Sequence, residues 1–322
     1  MSLRRLLSRR SLCLAFLAAA LPAHAVEYQR GYLVDSVSLP TSQSQANTYA
    51  IDLDGDGGND NNFGSMLAAF DSSGFAVADA MNAAIASGSI VHLLSLHSTD
   101  PLFANDPAAQ TDWYVGLPAP APPKFDGTDN LPYDNNYAPG VFLAALANGG
   151  FTSADPATTT TPVSLTFKLQ IGPDQVSLFL QGTRLSFTTD HSGHLFGQIN
   201  GSIQHDDFPT KIAPAYADLC NSAINADPNS GTATNCKGLF DQGGSDCGGN
   251  SNSFAGDGLI EVCEITSSAL MQSLWAPDVY INPDGHYVLT PGPTTILANS
   301  LGLRFTAIAS PDRVFANGFD PP

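Results

Sequence analysis

Positive charge is what this sequence has least of. Twelve Lys and Arg stand against thirty Asp and Glu in 322 residues, a formal net charge of −18. Four of the arginines, Arg4, Arg5, Arg9 and Arg10, crowd the N-terminus, so the remainder is more acidic still. Such a surface repels nucleic acid and anionic lipid. Long apolar runs are also missing. Leu12–Leu21 is too short to anchor in a bilayer, and no later segment is apolar enough to cross one. There is no Gly-x-Ser-x-Gly elbow, no His-Glu-x-x-His pair and no phosphate loop, so the familiar hydrolase, zincin and nucleotide signatures are absent. The lack of any Cys-x-x-Cys argues against structural zinc.

What is present begins with an export signal. The four arginines form its basic region, Leu12–Leu21 its apolar stretch, and Ala23-His24-Ala25 a small-x-small cleavage site. Residues 1–25 therefore read as a signal peptide, with the mature chain starting at Val26 and residing in the periplasm or outside the cell. Ser8-Arg9-Arg10-Ser11-Leu12 resembles a twin-arginine signal, with Leu12 where Phe is favoured. Ordinary Sec export is the preferred reading.

The stretch Tyr49–Gly64, YAIDLDGDGGNDNNFG, is the densest in chemistry. Asp52, Asp54, Asp56 and Asp60 occupy positions 1, 3, 5 and 9 of a loop. Like charges repel when gathered, and a divalent cation reverses that penalty. Ca²⁺ takes six to eight oxygens, and EF-hand loops supply them from these positions. Gly57 stands at position 6, where the loop turns sharply, and Gly58 at position 7 offers its carbonyl. Phe63 replaces the bidentate Glu of position 12, so a further oxygen must come from Asn61, Asn62 or a distant acid. Ca²⁺ is the expected cofactor. A solvated Asp/Gly turn is the plainer alternative.

A second loop, Ser253–Glu264 (SFAGDGLIEVCE), matches the later half of the same pattern. Asp257, Glu261 and Glu264 fall at positions 5, 9 and 12, while Ser253 and Ala255 stand where acids belong. Asp241, Asp246 or Asn252 would have to complete the site; the alternative is a capped helix start. Asp278, Asn282 and Asp284 form a weaker third group. Asp190, His191 and His194 near His205, Asp206 and Asp207 suggest a site only if their strands fold back together. A hairpin turn and a helix cap explain them more simply.

Four cysteines follow the signal: Cys220, Cys236, Cys247 and Cys263. An even number in an exported chain implies two disulfides. The expected pairing is nested, Cys220–Cys263 and Cys236–Cys247, because the outer pair lies in two predicted helices and the inner pair in a loop.

Alternation of apolar and polar residues predicts the fold. Tyr28–Leu39 reads as a first strand and Ile90–Leu96 as a buried one. Val163–Ile171, Val176–Leu180, Leu185–Phe187, Leu195–Ile203 and Leu301–Ala307 all alternate. Gly197 and Gly201 share a strand face and imply close approach by another element. Helices are expected at Ser65–Phe70, Ser73–Ser87, Ala213–Asn225 and Glu261–Trp275, with 226–256 as a loop. The fold class is β-rich α+β: a two-layer, sandwich-like antiparallel sheet with helical insertions, spanning 26–310 as one domain. A sub-boundary falls near 155–162, and 311–322 form a tail.

Several of these stretches resemble uncharacterised exported proteins of Gram-negative bacteria that carry Asp-rich, EF-hand-like calcium loops. Those stretches are YAIDLDGDGGNDNNFG with its following helix and strand, Leu178–Ile203, Ile212–Ala217 and Trp275–Ala307. The resemblance implies export and calcium, and no activity. The end PDRVFANGFDPP is similar to short tails on some exported bacterial proteins. Two functions are carried forward. The first is a calcium-stabilised binding or adhesion module, non-enzymatic, with a carbohydrate or an envelope component as partner. The second is a secreted carbohydrate-directed hydrolase, which requires two facing carboxylates in an aromatic-walled cleft.

Overall fold

A computed structural model describes residues 27–190, 192–241, 256 and 258–311. The expected signal peptide, Cys247, Asp257 and residues 312–322 lie outside that set.

The chain opens with strand β1 (Tyr28–Ser38) and reaches helix α1 (Gln43–Tyr49), capped by the Ser42 hydroxyl on the Gln45 N–H. After the Asp-rich loop come α2 (Asn62–Ser72) and α3 (Val77–Ser87). The helix expected from Ser73 starts instead at Val77, because Ser73 ends α2. Gly88, with φ of 76°, stops α3 as its position in the sequence suggests. Strands β2 (His92–Ser98), β3 (Asp106–Val115), β4 (Gly140–Ala147) and β5 (Gly150–Thr152) follow as a meander. Then come β6 (Val163–Ile171), β7 (Asp174–Thr189) and β8 (His194–Gln204). A π-helical turn, Phe208–Ile212, leads into α4 (Ala213–Ala226) and α5 (Gly231–Leu239). The chain closes with α6 (Val262–Ser267), α7 (Ala269–Leu274), β9 (Val279–Ile281) and the long β10 (Ile296–Ser310).

All pairings are antiparallel. The order β1-β2-β3-β4-β5-β7-β8-β10-β9 is completed by a further pairing of β1 with β10, so the sheet closes on itself. The expected two layers are thus opposing walls of one continuous sheet. Trp113 on β3 meets Phe305 on β10 edge-on at 5.2 Å across the interior. A Cβ on Gly197 would lie 2.3 Å from the Phe305 ring, so the bare backbone there is what lets that ring in. Closure also removes most free edges. Strand β6 stands off the ring and pairs only with the first half of β7. It lays Phe167 flat against the buried His92, ring centroids 4.7 Å apart. Burial pushes His92 down to about 4, so it is a neutral core imidazole.

The buried faces of α2, α3 and α4 join the same core as Trp113, Phe167 and Phe305 on the inner face of the sheet. Phe63 and Phe70 of α2, both buried, reach Trp275 and Tyr216. The stretch 226–256 is not all loop: Ser230 caps α5 by accepting from the Ala233 N–H. Helix α5 doubles back on α4 and brings Cys236 to Cys220, with Cα atoms 5.6 Å apart. The nested disulfide pairing is therefore corrected to a Cys220–Cys236 bond, because an unforeseen helix places these two sulfurs together. Cys263 is also disulfide-bonded. The helix expected over Glu261–Trp275 is broken at Ser268 into α6 and α7. Among the described residues, no helix is long and apolar enough to cross a membrane.

Candidate metal centre

The loop between α1 and α2 is pinned at both ends. Asp60 N–H donates to the Ile51 carbonyl at 2.8 Å in an isolated antiparallel bridge. Between them Leu53 is wholly buried in a small cluster with Val279, Ile281, Tyr287 and Ala298. Leu53 points into that cluster, while Asp52 and Asp54 on either side of it bring an oxygen each to a common point. Gly55 and Gly57, at φ of 84° and 90°, then reverse the chain. Their N–H groups donate to the two Asp52 oxygens at 2.7 and 3.0 Å.

The outcome is a carboxylate cluster. Asp52, Asp54 and Asp60 each offer an oxygen, all within 4.8 Å of one another, and among the described residues no other such group forms. Two oxygens bound to one Ca²⁺ at about 2.4 Å can be no more than about 4.8 Å apart, so the spacing fits a shared ion. The donors are all hard oxygens, which suits Ca²⁺, Mg²⁺ or Mn²⁺ rather than a soft metal. These three residues can hold a metal ion.

Asp60 is the unusual member. It is only 8% exposed and accepts the Leu53 N–H at 2.7 Å. Burial, aided by the charges of Asp54, Asp278 and Asp56, pushes its carboxyl up to about 7 against the opposing Leu53 bond. Burial also raises Asp54, helped by Asp56 and Asp52. In both, burial disfavours the charged carboxylate and neighbouring carboxylates add to the effect.

Other expected ligands are placed differently. The Asp56 carboxylate accepts the Gly58 N–H at 2.6 Å and stands outside the converging group. Asn61 is committed elsewhere. Its Oδ1 accepts the N–H groups of Gly302 and Gly64, and its amide donates to the Ala46 and Gly302 carbonyls. It therefore clamps the loop to β10 rather than facing an ion. Asn62 donates to the Ala276 carbonyl. A distant acid, Asp278, lies near Asp60 without joining the converging group. It is half-buried beside the loop, accepting the Ser300 and Asn62 N–H groups at 2.9 and 3.2 Å and the Ser300 hydroxyl. Desolvation raises its carboxyl despite those bonds. Asn282 and Asp284 do not join it; Asn282 closes a turn onto His286. Nothing in the spacing of Asp278 from Asp60 signals their proximity, which arises because β9 pairs with β10.

The second loop shows its plainer side. Glu261 and Glu264 form a capping box at the start of α6, the Glu264 carboxylate accepting the Glu261 N–H at 2.9 Å. Asp241 accepts from the Gly256 and Gly258 N–H groups at 2.6 and 3.2 Å. Asp190 and His194 sit in the β7–β8 turn, where the Ser192 hydroxyl and the His194 N–H hold Asp190 down at about 2. His205 stands at the far end of β8, bonded to Asn299 at 3.1 Å. At about 3.3 Å per residue, the strand keeps these histidines apart. Trp113 is buried, and Tyr114 bonds Asp112, so neither forms an open sugar platform. No protein-family model, curated protein or solved structure matches this chain.

Proposed function

We propose that the protein is an exported, calcium-stabilised binding or adhesion module of the cell envelope or extracellular space, akin to the Asp-loop exported proteins that its sequence resembles. The observation that carries this reading is the convergence of Asp52, Asp54 and Asp60. Ca²⁺ fits better than Mg²⁺ because the loop offers several carboxylates in an irregular turn, whereas Mg²⁺ demands compact octahedral geometry and keeps its waters. The disulfide between Cys220 and Cys236 belongs to the same setting. The ion's role is structural: it ties the α1–α2 segment down onto β9 and β10. The hydrolase reading needs two facing carboxylates in an aromatic-walled cleft. A depression of about 390 Å³ brings Asp174 and Asp218 together, but its other walls are Val176, Pro214, Ala215 and Lys211, with no aromatic.

Thermal unfolding in EDTA and in 5 mM Ca²⁺ tests the proposal. Ligand bound only to the folded state stabilises it by mass action. With a dissociation constant of about 10⁻⁴ M, the midpoint should rise by roughly 5 °C, and Mg²⁺ should do less. Coincident melts with and without Ca²⁺ would remove the metal from the account.

A further inference from the structure

The outer face of the closed sheet carries a second site of opposite character. The strand registers place Ser38 opposite Arg304, Arg304 opposite Gln198, Gln198 opposite Ser186 and Ser186 opposite Thr152. One row of outward side chains therefore crosses β1, β10, β8, β7 and β5. The neighbouring row runs Ser36, Thr306, Phe196, Thr188 and Gly150. At about 4.8 Å between strands, each row spans roughly 19 Å. Apart from Ser36, these residues line a cleft of about 530 Å³.

The lining of that cleft is unexpected for this chain. Thirty acids are spread over the sequence, yet none lines it. Asp35 touches it only through the Thr306 hydroxyl, whose proton it accepts at 2.6 Å. Arg304 is exposed, and among the described residues its guanidinium has no ion-pair or hydrogen-bond partner. Its guanidinium lies 4.7 Å from the centre of the Tyr49 ring. A stacked guanidinium keeps its five N–H groups free around its edge. Gln198 is fixed beside it, its amide donating to the Tyr49 carbonyl and to Asn200 at 2.9 Å each. Phe196 is 53% exposed on the same face.

We infer that this cleft binds a carboxylated, hydroxyl-rich ligand, a saccharide bearing uronic acid. The guanidinium offers a two-pronged bond that matches a carboxylate. The Ser and Thr hydroxyls both give and accept hydrogen bonds, as sugar hydroxyls do. The Phe196 ring offers an apolar surface for the C–H face of a pyranose. A strongly acidic protein repels anions in general, so an acid-free strip around an unpaired arginine is where an anionic ligand can settle. This assignment rests on the reading of the protein as a binding module, and it is independent of the metal loop.

The test is calorimetric titration with sodium glucuronate and, separately, with glucose, in EDTA so that no sugar–calcium bridge contributes. Glucuronate should bind at least ~10-fold more tightly than glucose, since one charge-assisted bond is worth that factor or more. Arg304→Gln should erase the difference. Arg304→Lys keeps the charge but not the fork; it should fall between the two and serves in place of Arg304→Gln if that variant fails to fold. Equal binding of the two sugars, or preference for glucuronate surviving in Arg304→Gln, would overturn the inference. If neither sugar binds while Ca²⁺ still raises the melting temperature, the ligand assignment falls and the calcium reading stands.

Discussion

The Asp52–Asp60 loop and the Arg304 row lie close together in the molecule but are built in opposite ways. The loop concentrates charge within nine residues of sequence and depends on glycines to fold it inward. The row takes one residue from each of five strands and contains a single charge. The loop carries surplus negative charge, partly desolvated, on three carboxylates that could hold a cation. The row carries a positive charge left unpaired in an acidic protein. A local site of the first kind gains order from its ligand, whereas a sheet-borne site is already ordered by its ladders. Metal binding should therefore register mainly in stability, and ligand binding on the row should not depend on the metal.

The two regions meet at Tyr49. Its ring lies under Arg304 and its carbonyl accepts from Gln198 and Asn200; three residues later the metal loop begins. Gly302 permits this approach, since a Cβ there would fall 2.2 Å from the Tyr49 carbonyl oxygen. The largest effect is therefore expected from Gly302→Ala. It should destabilise by about 3 kcal/mol and damage both sites together. Denaturant unfolding combined with Ca²⁺ and glucuronate titrations would show this; an intact response to both ligands would mean that the regions are not joined at Tyr49.

A smaller and more selective effect is expected from Asp60→Asn. The folded carboxyl, at about 7, lies above its unfolded value near 3.8. Over that interval the folded state holds more protons than the unfolded one, so metal-free stability falls as pH rises from about 4 to about 7. Asp60→Asn should flatten that decline in EDTA and abolish the rise in melting temperature with Ca²⁺. Melting curves across this pH range check both parts, and a wild-type protein whose metal-free stability climbs over the interval would contradict them. The smallest effect belongs to Asp56→Asn. Because Asp56 stands outside the converging trio, its loss should change stability by no more than about 0.5 kcal/mol and leave most of the Ca²⁺ response. A response lost as fully as in Asp60→Asn would show that Asp56 swings in as a ligand.

Much of the fold is legible in the sequence because strand signals are local. The alternation in Val163–Ile171 marks β6 to the residue, and the Leu195–Ile203 face lies within β8. Helix α5 escapes such reading because GTATNCKGL has no apolar stripe. Its buried face is only Ala233 and Cys236, and a cap and a disulfide help hold it. The nested disulfide pairing fails for the same reason, since spacing says nothing about which helix folds back on which.

The sequence by itself determined the acid spacing in YAIDLDGDGGNDNNFG, the glycines that turn it and the overall excess of negative charge. Those are properties of neighbouring residues, and covalent connection alone brings such groups within a few ångströms. Only the tertiary structure decided that Asp56 stays out of the cluster, that Asp278 comes in beside Asp60, and that Arg304 stands in a strip without acids. The placements of Asp278 and Arg304 depend on strand register, between segments as far apart as Ser38 and Arg304. Register is set by which faces bury apolar side chains across the whole sheet, a collective quantity that no short stretch of sequence contains.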